Sequence, residues 1–140
     1  MSRRKCRILA FQTIFAWEAN AQNLPQAITD FSWISDEERA KLKQSDLDWA
    51  RLIVCGTIEN IAKVDEIIKS LLVKWELSRI KRVDLAILRI SVYSLLYQKD
   101  IPPDVVIQEA VNIALEFGED DSFKFINGIL DSVKKECDKL

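Results

Sequence analysis

Residues 82–97, RVDLAILRISVYSLLY, decide how the rest of the chain is read. On a 3.6-residue wheel Asp84, Ser91 and Ser94 fall within one narrow sector, while Val83, Leu85, Ala86, Leu88, Ile90, Val92, Leu95 and Leu96 fill the other directions. A helix that is apolar almost all round has no face to give to water, so this one is read as central and buried. Arg89 lies opposite the polar sector, seven residues after Arg82 and stacked above it. A buried guanidinium must replace its lost hydration with a carboxylate or carbonyl. Arg89 is therefore assigned to an ion pair tying this helix to a neighbour, in preference to ligand binding. The next residues, Lys99-Asp100-Ile101-Pro102-Pro103-Asp104, end the helix, because a residue before proline avoids the helical region and a proline in a first turn starts the next helix well.

Working outward, the helical period recurs everywhere. Toward the N-terminus, Ile8, Phe11 and Phe15 follow one stripe and Ala10, Ile14 and Trp17 a neighbouring one, giving a helix from about residue 3 to residue 20. Asn23-Leu24-Pro25 is a break, and Ile28, Phe31 and Trp33 mark a short second helix or turn. Ser35 with Glu38 matches a capping box opening a short charged helix up to Gln44. Ser45 and Asp46 offer another cap for a helix carrying Leu47, Ala50, Ile53, Val54, Thr57, Ile58 and Ile61. Val64, Ile67, Ile68, Leu71 and Leu72 continue it in a shifted phase, so a break or bend is expected near Ala62 and Lys63. Trp75 to Ser78 connects to the central helix.

Beyond the prolines, Val105, Val106, Glu109, Ala110, Ile113 and Phe117 line a helix that Gly118 should end in the left-handed conformation. Asp120, Asp121 and Ser122 begin a last helix with Phe123, Phe125, Ile126, Ile129, Leu130 and Val133 along it. Gly128 inside that helix costs about 1 kcal/mol relative to alanine, which a close helix approach would explain. No sustained period-two alternation and no fixed repeat appears. The fold class is all-α, a single compact domain spanning residues 1–140.

Composition narrows function by exclusion. With 49% hydrophobic and 30% charged residues the chain reads as an ordinary globular protein. Its longest apolar run without charge, Ile8 to Trp17, is half of the roughly 20 residues that span a bilayer, and Gln12 and Thr13 interrupt it, so a cytoplasmic protein without membrane segments is expected. Cys6, Cys55 and Cys137 are far apart and odd in number, which gives neither a disulfide framework nor a metal site, so reduced thiols are expected. There is no histidine. The commonest general base and metal ligand is thus missing, and no nucleotide-binding, nucleophile-elbow or metal-spaced motif occurs, so neither catalysis nor a cofactor is expected. Glu119, Asp120 and Asp121 suit the positive end of a helix dipole better than a cation.

One feature points to a ligand. Arg3, Arg4, Lys5 and Arg7 place +4 in the first seven residues and leave −6 for the rest of a chain whose net charge is −2. This basic end abuts a helix carrying Gln12, Phe15 and Trp17, and positive charge beside aromatics suits single-stranded nucleic acid.

The same residues carry a resemblance. Arg3-Arg4-Lys5-Cys6-Arg7 with Ala10, Gln12, Phe15 and Trp17 resembles the first helix of the bacterial transcription antitermination factors of the NusB family. Residues 82–96 resemble the family's central helix. Ile101-Pro102-Pro103 with residues 106–111, and residues 117–122 with Lys124 to Asp131, resemble its last two. The resemblance covers the chain and is strongest from Ile80 to Asp131. It implies about seven helices, no catalysis, and pairing with the ribosomal protein NusE to recognise the single-stranded boxA element of nascent ribosomal RNA, with other Nus factors and RNA polymerase joined indirectly. It further implies RNA contacts at Arg3, Arg4, Lys5, Arg7, Phe15, Asp121, Lys124 and Phe125, and a NusE contact at Asp84, expected to stay open to the partner. Phe15 stands where tyrosine is common, losing a hydroxyl but keeping the ring. Cys6 and Gln108 replace a frequent alanine and asparagine. Family members differ in forming homodimers, so a homodimer stays open. Certain ribosomal RNA cytosine methyltransferases carry a similar helical module, but they need a large catalytic domain, and this sequence stops at Leu140. A helical protein–protein adaptor without RNA binding is the other alternative.

Overall fold

A computed structural model of the chain describes residues 2–19, 30–31, 34–72 and 76–138. Among these residues there are seven α-helices and no strand: α1 (Ser2–Ala19), α2 (Asp36–Ala40), α3 (Gln44–Glu59), α4 (Ile61–Ser70), α5 (Arg82–Tyr97), α6 (Pro103–Phe117) and α7 (Ser122–Asp138). A 3-10 turn at Leu77–Arg79 leads into α5. The all-α expectation and the bounds of the central helix hold. The expected break at Asn23-Leu24-Pro25, Ile28, Trp33 and Trp75 lie outside the described residues.

Helix α5 is the axis. Every residue from Asp84 to Leu95 is buried, and α1, α3, α4, α6 and α7 all pack against it. Ile87, Leu88 and Val92 are fully enclosed, each contributing roughly 1.5–3 kcal/mol through removal of apolar surface from water. The outer helices are arranged by their contacts. The Arg4–Glu109 ion pair and the Phe11–Phe117 ring contact at 5.3 Å link α1 to α6 at successive points in the same chain direction. Lys134 Nζ reaches Asp104 at 2.9 Å, closing α7 back against the start of α6 as an antiparallel hairpin.

Arg89 behaves as its burial demands. Its Nε and Nη2 donate to the two carboxylate oxygens of Asp65 on α4, both at 3.0 Å. Glu18 of α1 stands 4.0 Å from Nη1 and 3.5 Å from Arg82 Nε. One arginine thus joins α1, α4 and α5 through a bidentate fork.

Several local expectations are corrected. Asp84, expected to stay open, is buried with the rest of its sector of α5: Asp84 is 4% exposed and Ser91 and Ser94 5%. Ser94 Oγ instead donates to Gln98 Oε1 at 2.6 Å. Ser35 does cap α2, accepting from the Glu38 N–H, but that helix ends at Ala40 rather than Gln44. Helix α3 starts behind Lys43, whose N–H donates to the Asp46 carboxylate at 2.9 Å. Asp46 therefore acts one turn inside the helix rather than as its cap. The break after α3 falls at Asn60, whose side chain donates to the Gly56 carbonyl at 2.8 Å and ends the helix before Ala62 is reached.

Glycine roles differ too. Gly118 ends α6 with φ −89° and ψ −176°, extended rather than left-handed. Space explains it, since a Cβ there would stand 2.7 Å from the Ala114 carbonyl and 2.7 Å from Ser122 Cβ. Gly128 is exposed and a Cβ on it would meet nothing within 4 Å, so no close helix approach accounts for it. The close approach is at Gly56, where a Cβ would lie 2.3 Å from the Tyr93 ring. Phe31 has φ 57° and is fully buried in a smaller cluster with Cys6, Leu9, Leu47 and Ala50. Its carbonyl accepts from Arg39 Nη1 at 2.8 Å and from the Ile34 N–H at 3.1 Å, bonds that help hold a backbone conformation bulky residues seldom adopt.

Candidate nucleic-acid interface

The basic run forms the first two turns of α1, with Arg3, Arg4 and Lys5 exposed and Arg7 half-buried. Its members are held in different ways. Arg4 is engaged by Glu109 of α6, Nε and Nη2 each donating to one carboxylate oxygen at 3.2 Å. That bond raises the Arg4 pKa above its usual value. Arg3 and Arg7, one turn apart on the same face, both lie over the indole of Trp49 on α3, at 4.1 Å and 5.1 Å from the ring centroid. Burial lowers the Arg7 pKa, the Glu109 carboxylate counters this, and the charge of Arg3 adds to the lowering. Together with Lys5, Ile8, Ile101, Pro102 and Val105 these side chains border an open groove of about 880 Å³ between α1, α3 and α6.

Phe15 lies eleven residues further along α1 than Arg4, about 16 Å along the axis at 1.5 Å per residue. It is half-buried and packed on the core. The guanidinium of Arg82 stands 5.1 Å from its ring centroid. Phe15 is thus parted from the basic groove but close to the start of α5.

Asp84, Asp121 and Phe125 come together in a second place, a pocket of about 200 Å³ completed by Arg79, Ile80, Lys81 and Ser122. Ser122 organises it. Its hydroxyl accepts from the Glu119 N–H at 3.0 Å, and its side chain favours the charged form of Asp84. Burial pushes the Asp84 carboxyl above its ordinary pKa, and Ser122 only partly offsets this. One Asp84 oxygen, Oδ1, is buried without a hydrogen-bond partner. The expectation of an open Asp84 is therefore corrected: the carboxylate is reached only as the floor of this pocket. Lys124 does not line the pocket; it is exposed, with its ammonium 5.8 Å from the Phe123 ring centroid. Glu119 pairs with Lys81 at 2.6 Å. No group of three or more metal-ligating side chains occurs among the described residues.

Trp49 and Glu109 are the residues of this groove that sequence reasoning missed. A signal for Trp49 was present, because it lies off the Leu47, Ala50, Ile53, Val54 stripe of α3. Nothing local marks Glu109 as the partner of an arginine 105 positions away.

No helix of the described residues is long and apolar enough to cross a membrane. The NusB family model matches residues 4–135. A transcription antitermination protein NusB of Treponema pallidum is 49% identical over 137 residues, covering 98% of this chain and 95% of that protein. Among solved structures, T. maritima NusB superposes with a TM-score of 0.84 at 36% identity, covering 100% of this chain and 99% of that one. A complex of antitermination factors NusB and NusE with dsRNA contains a chain with a TM-score of 0.83, covering 96% of this chain and 97% of its own, a likeness of fold at 23% identity. With the match running through all seven helices from the basic end of α1 to α7, the chain belongs to the NusB family.

Proposed function

We infer that this chain is an antitermination factor that pairs with NusE and binds the single-stranded boxA element of nascent ribosomal RNA. The observation carrying this reading is the basic end of α1, gathered around one groove on a chain that is otherwise net acidic. Family membership supports it, as does the existence of a complex in which a NusB of the same fold meets both NusE and RNA. In this reading Arg3, Lys5 and Arg7 neutralise phosphates, and Arg4 joins them when it leaves Glu109. Phe15 and Phe125 supply aromatic faces, Asp121 and Lys124 polar contacts, and Asp84 faces NusE. Because Asp84 and Asp121 share a pocket, NusE seated there borders the start of α7, and RNA lying on α7 meets both proteins. Four cations alone give feeble binding with a shallow salt dependence. NusE then supplies the missing contact surface.

The test is fluorescence anisotropy of labelled boxA-like RNA, single-stranded and as duplex, with and without NusE, beside calorimetry of the protein pair. The joint replacement Arg3→Ala, Arg4→Ala, Lys5→Ala should lower RNA affinity in the presence of NusE and leave the protein–protein dissociation constant intact. Asp84→Asn should weaken NusE association and spare the chain's own faint RNA affinity. If both variants lose both activities while folded, the two-surface reading is wrong; if no RNA binds under any condition, the chain is a protein–protein adaptor.

A further inference from the structure

We propose that Trp49 is a positioning residue for the RNA backbone, holding Arg3 and Arg7 on its indole as a two-arginine phosphate clamp. This deepens the RNA-binding reading and rests on it. A guanidinium stacked on an aromatic ring uses its flat face, and its in-plane N–H donors stay free for an oxyanion. That geometry distinguishes Arg3 and Arg7, at 4.1 Å and 5.1 Å above the ring, from Arg4, whose fork is filled by Glu109. Among the described residues no carboxylate forms an ion pair with either stacked arginine.

The arrangement also has an electrostatic direction. Two like charges sharing one ring repel each other, and Arg7 is half-buried, so part of its hydration is already lost. An oxyanion between the two forks relieves both costs. Trp49 is fit to be the anchor, because it packs against both the main core and the Cys6–Phe31 cluster. Two long side chains that would otherwise sweep through solvent are thereby fixed before the ligand arrives, and less rotamer freedom is lost on binding. The ligand class is a phosphodiester, taken in the groove bordered by Ile101, Pro102 and Val105.

The experiment compares Trp49→Leu, Trp49→Phe and the double variant Arg3→Ala, Arg7→Ala, each with NusE, by titrating labelled boxA-like RNA across a series of salt concentrations. Trp49→Leu should weaken RNA binding roughly tenfold and flatten the dependence of log affinity on log salt by about one to two phosphate equivalents. Trp49→Phe, which keeps a stacking face, should recover most of both, and adding Trp49→Leu to the double arginine variant should change little further. Circular dichroism and the NusE dissociation constant must stay parental; if Trp49→Leu unfolds, the phenylalanine variant and the arginine pair carry the comparison. Parental affinity and slope in Trp49→Leu, or weaker binding with an unchanged slope, would overturn the proposal, the second result meaning that Trp49 only packs. If the arginine pair itself leaves RNA binding untouched, the fault lies in the RNA-binding reading of this end and not in Trp49 alone.

Discussion

Arg89 shows how one residue in a closed core constrains three helices. Its fork and the Asp65 carboxylate match oxygen for nitrogen, and removing the guanidinium leaves a half-buried carboxylate without its cation. Arg89→Ala should cost about 3 kcal/mol in unfolding free energy, read from urea denaturation; a variant unfolding like the parent would show the pair to be energetically idle. Asp84 makes the opposite case, a carboxylate held where its charge is unwelcome. With its folded pKa raised by burial, the native state binds the proton more tightly than the unfolded chain. The group's favourable contribution is therefore present in full below about pH 4 and is lost as pH rises through the folded pKa. Asp84→Asn removes that loss. Its stability relative to the parent should increase from about pH 4 toward neutrality, and a difference that stays flat with pH would refute the burial account. Arg89 was legible from one wheel position; its partner was not, because Asp65 lies on a helix whose phase against α5 is set by packing.

At the scale of elements, the sequence signals that worked were those whose physics is local. The apolar wheel of α5, the proline start of α6 and the Ser35 cap each depend on residues within a turn or two, and each is found where expected. The signals that misled were those whose meaning depends on a neighbour in space. The position of Gly118 predicts a left-handed cap, but the residue serves the narrow corner between α6 and α7. Gly128 predicts a contact point, whereas Gly56 is the glycine where α3 comes close to α5 through the Tyr93 ring. The two substitutions should move stability in opposite directions. Gly128→Ala has open space and a helical backbone, so it should stabilise by up to about 1 kcal/mol. Gly56→Ala drives a methyl into a buried ring and should destabilise by roughly 1–3 kcal/mol. Thermal melts of both variants decide it; a destabilised Gly128→Ala would mean that something else requires the bare backbone there.

Across the whole molecule, the basic groove is set against an acidic body, and the body reaches into it. Glu109, 17% exposed, occupies the fork of Arg4, 60% exposed. For a phosphate to take Arg4 it must displace this carboxylate, so Glu109 acts as an internal competitor with the same fork-matching geometry as the ligand. The pair is open to water on the Arg4 side, so its own contribution to stability is small. Glu109→Gln should therefore leave the melting temperature nearly unchanged. The same change frees Arg4 and removes a negative charge beside Arg7, whose pKa is at present supported by Glu109. RNA affinity in the presence of NusE should rise roughly two- to fivefold, the factor that an exposed ion pair's free energy corresponds to. The salt dependence should steepen by up to about one phosphate equivalent as a fourth cation joins the surface. An affinity equal to the parent's, with the slope unchanged, would mean that Arg4 stays with α6 when RNA is bound and that the groove works through Arg3, Lys5 and Arg7 alone.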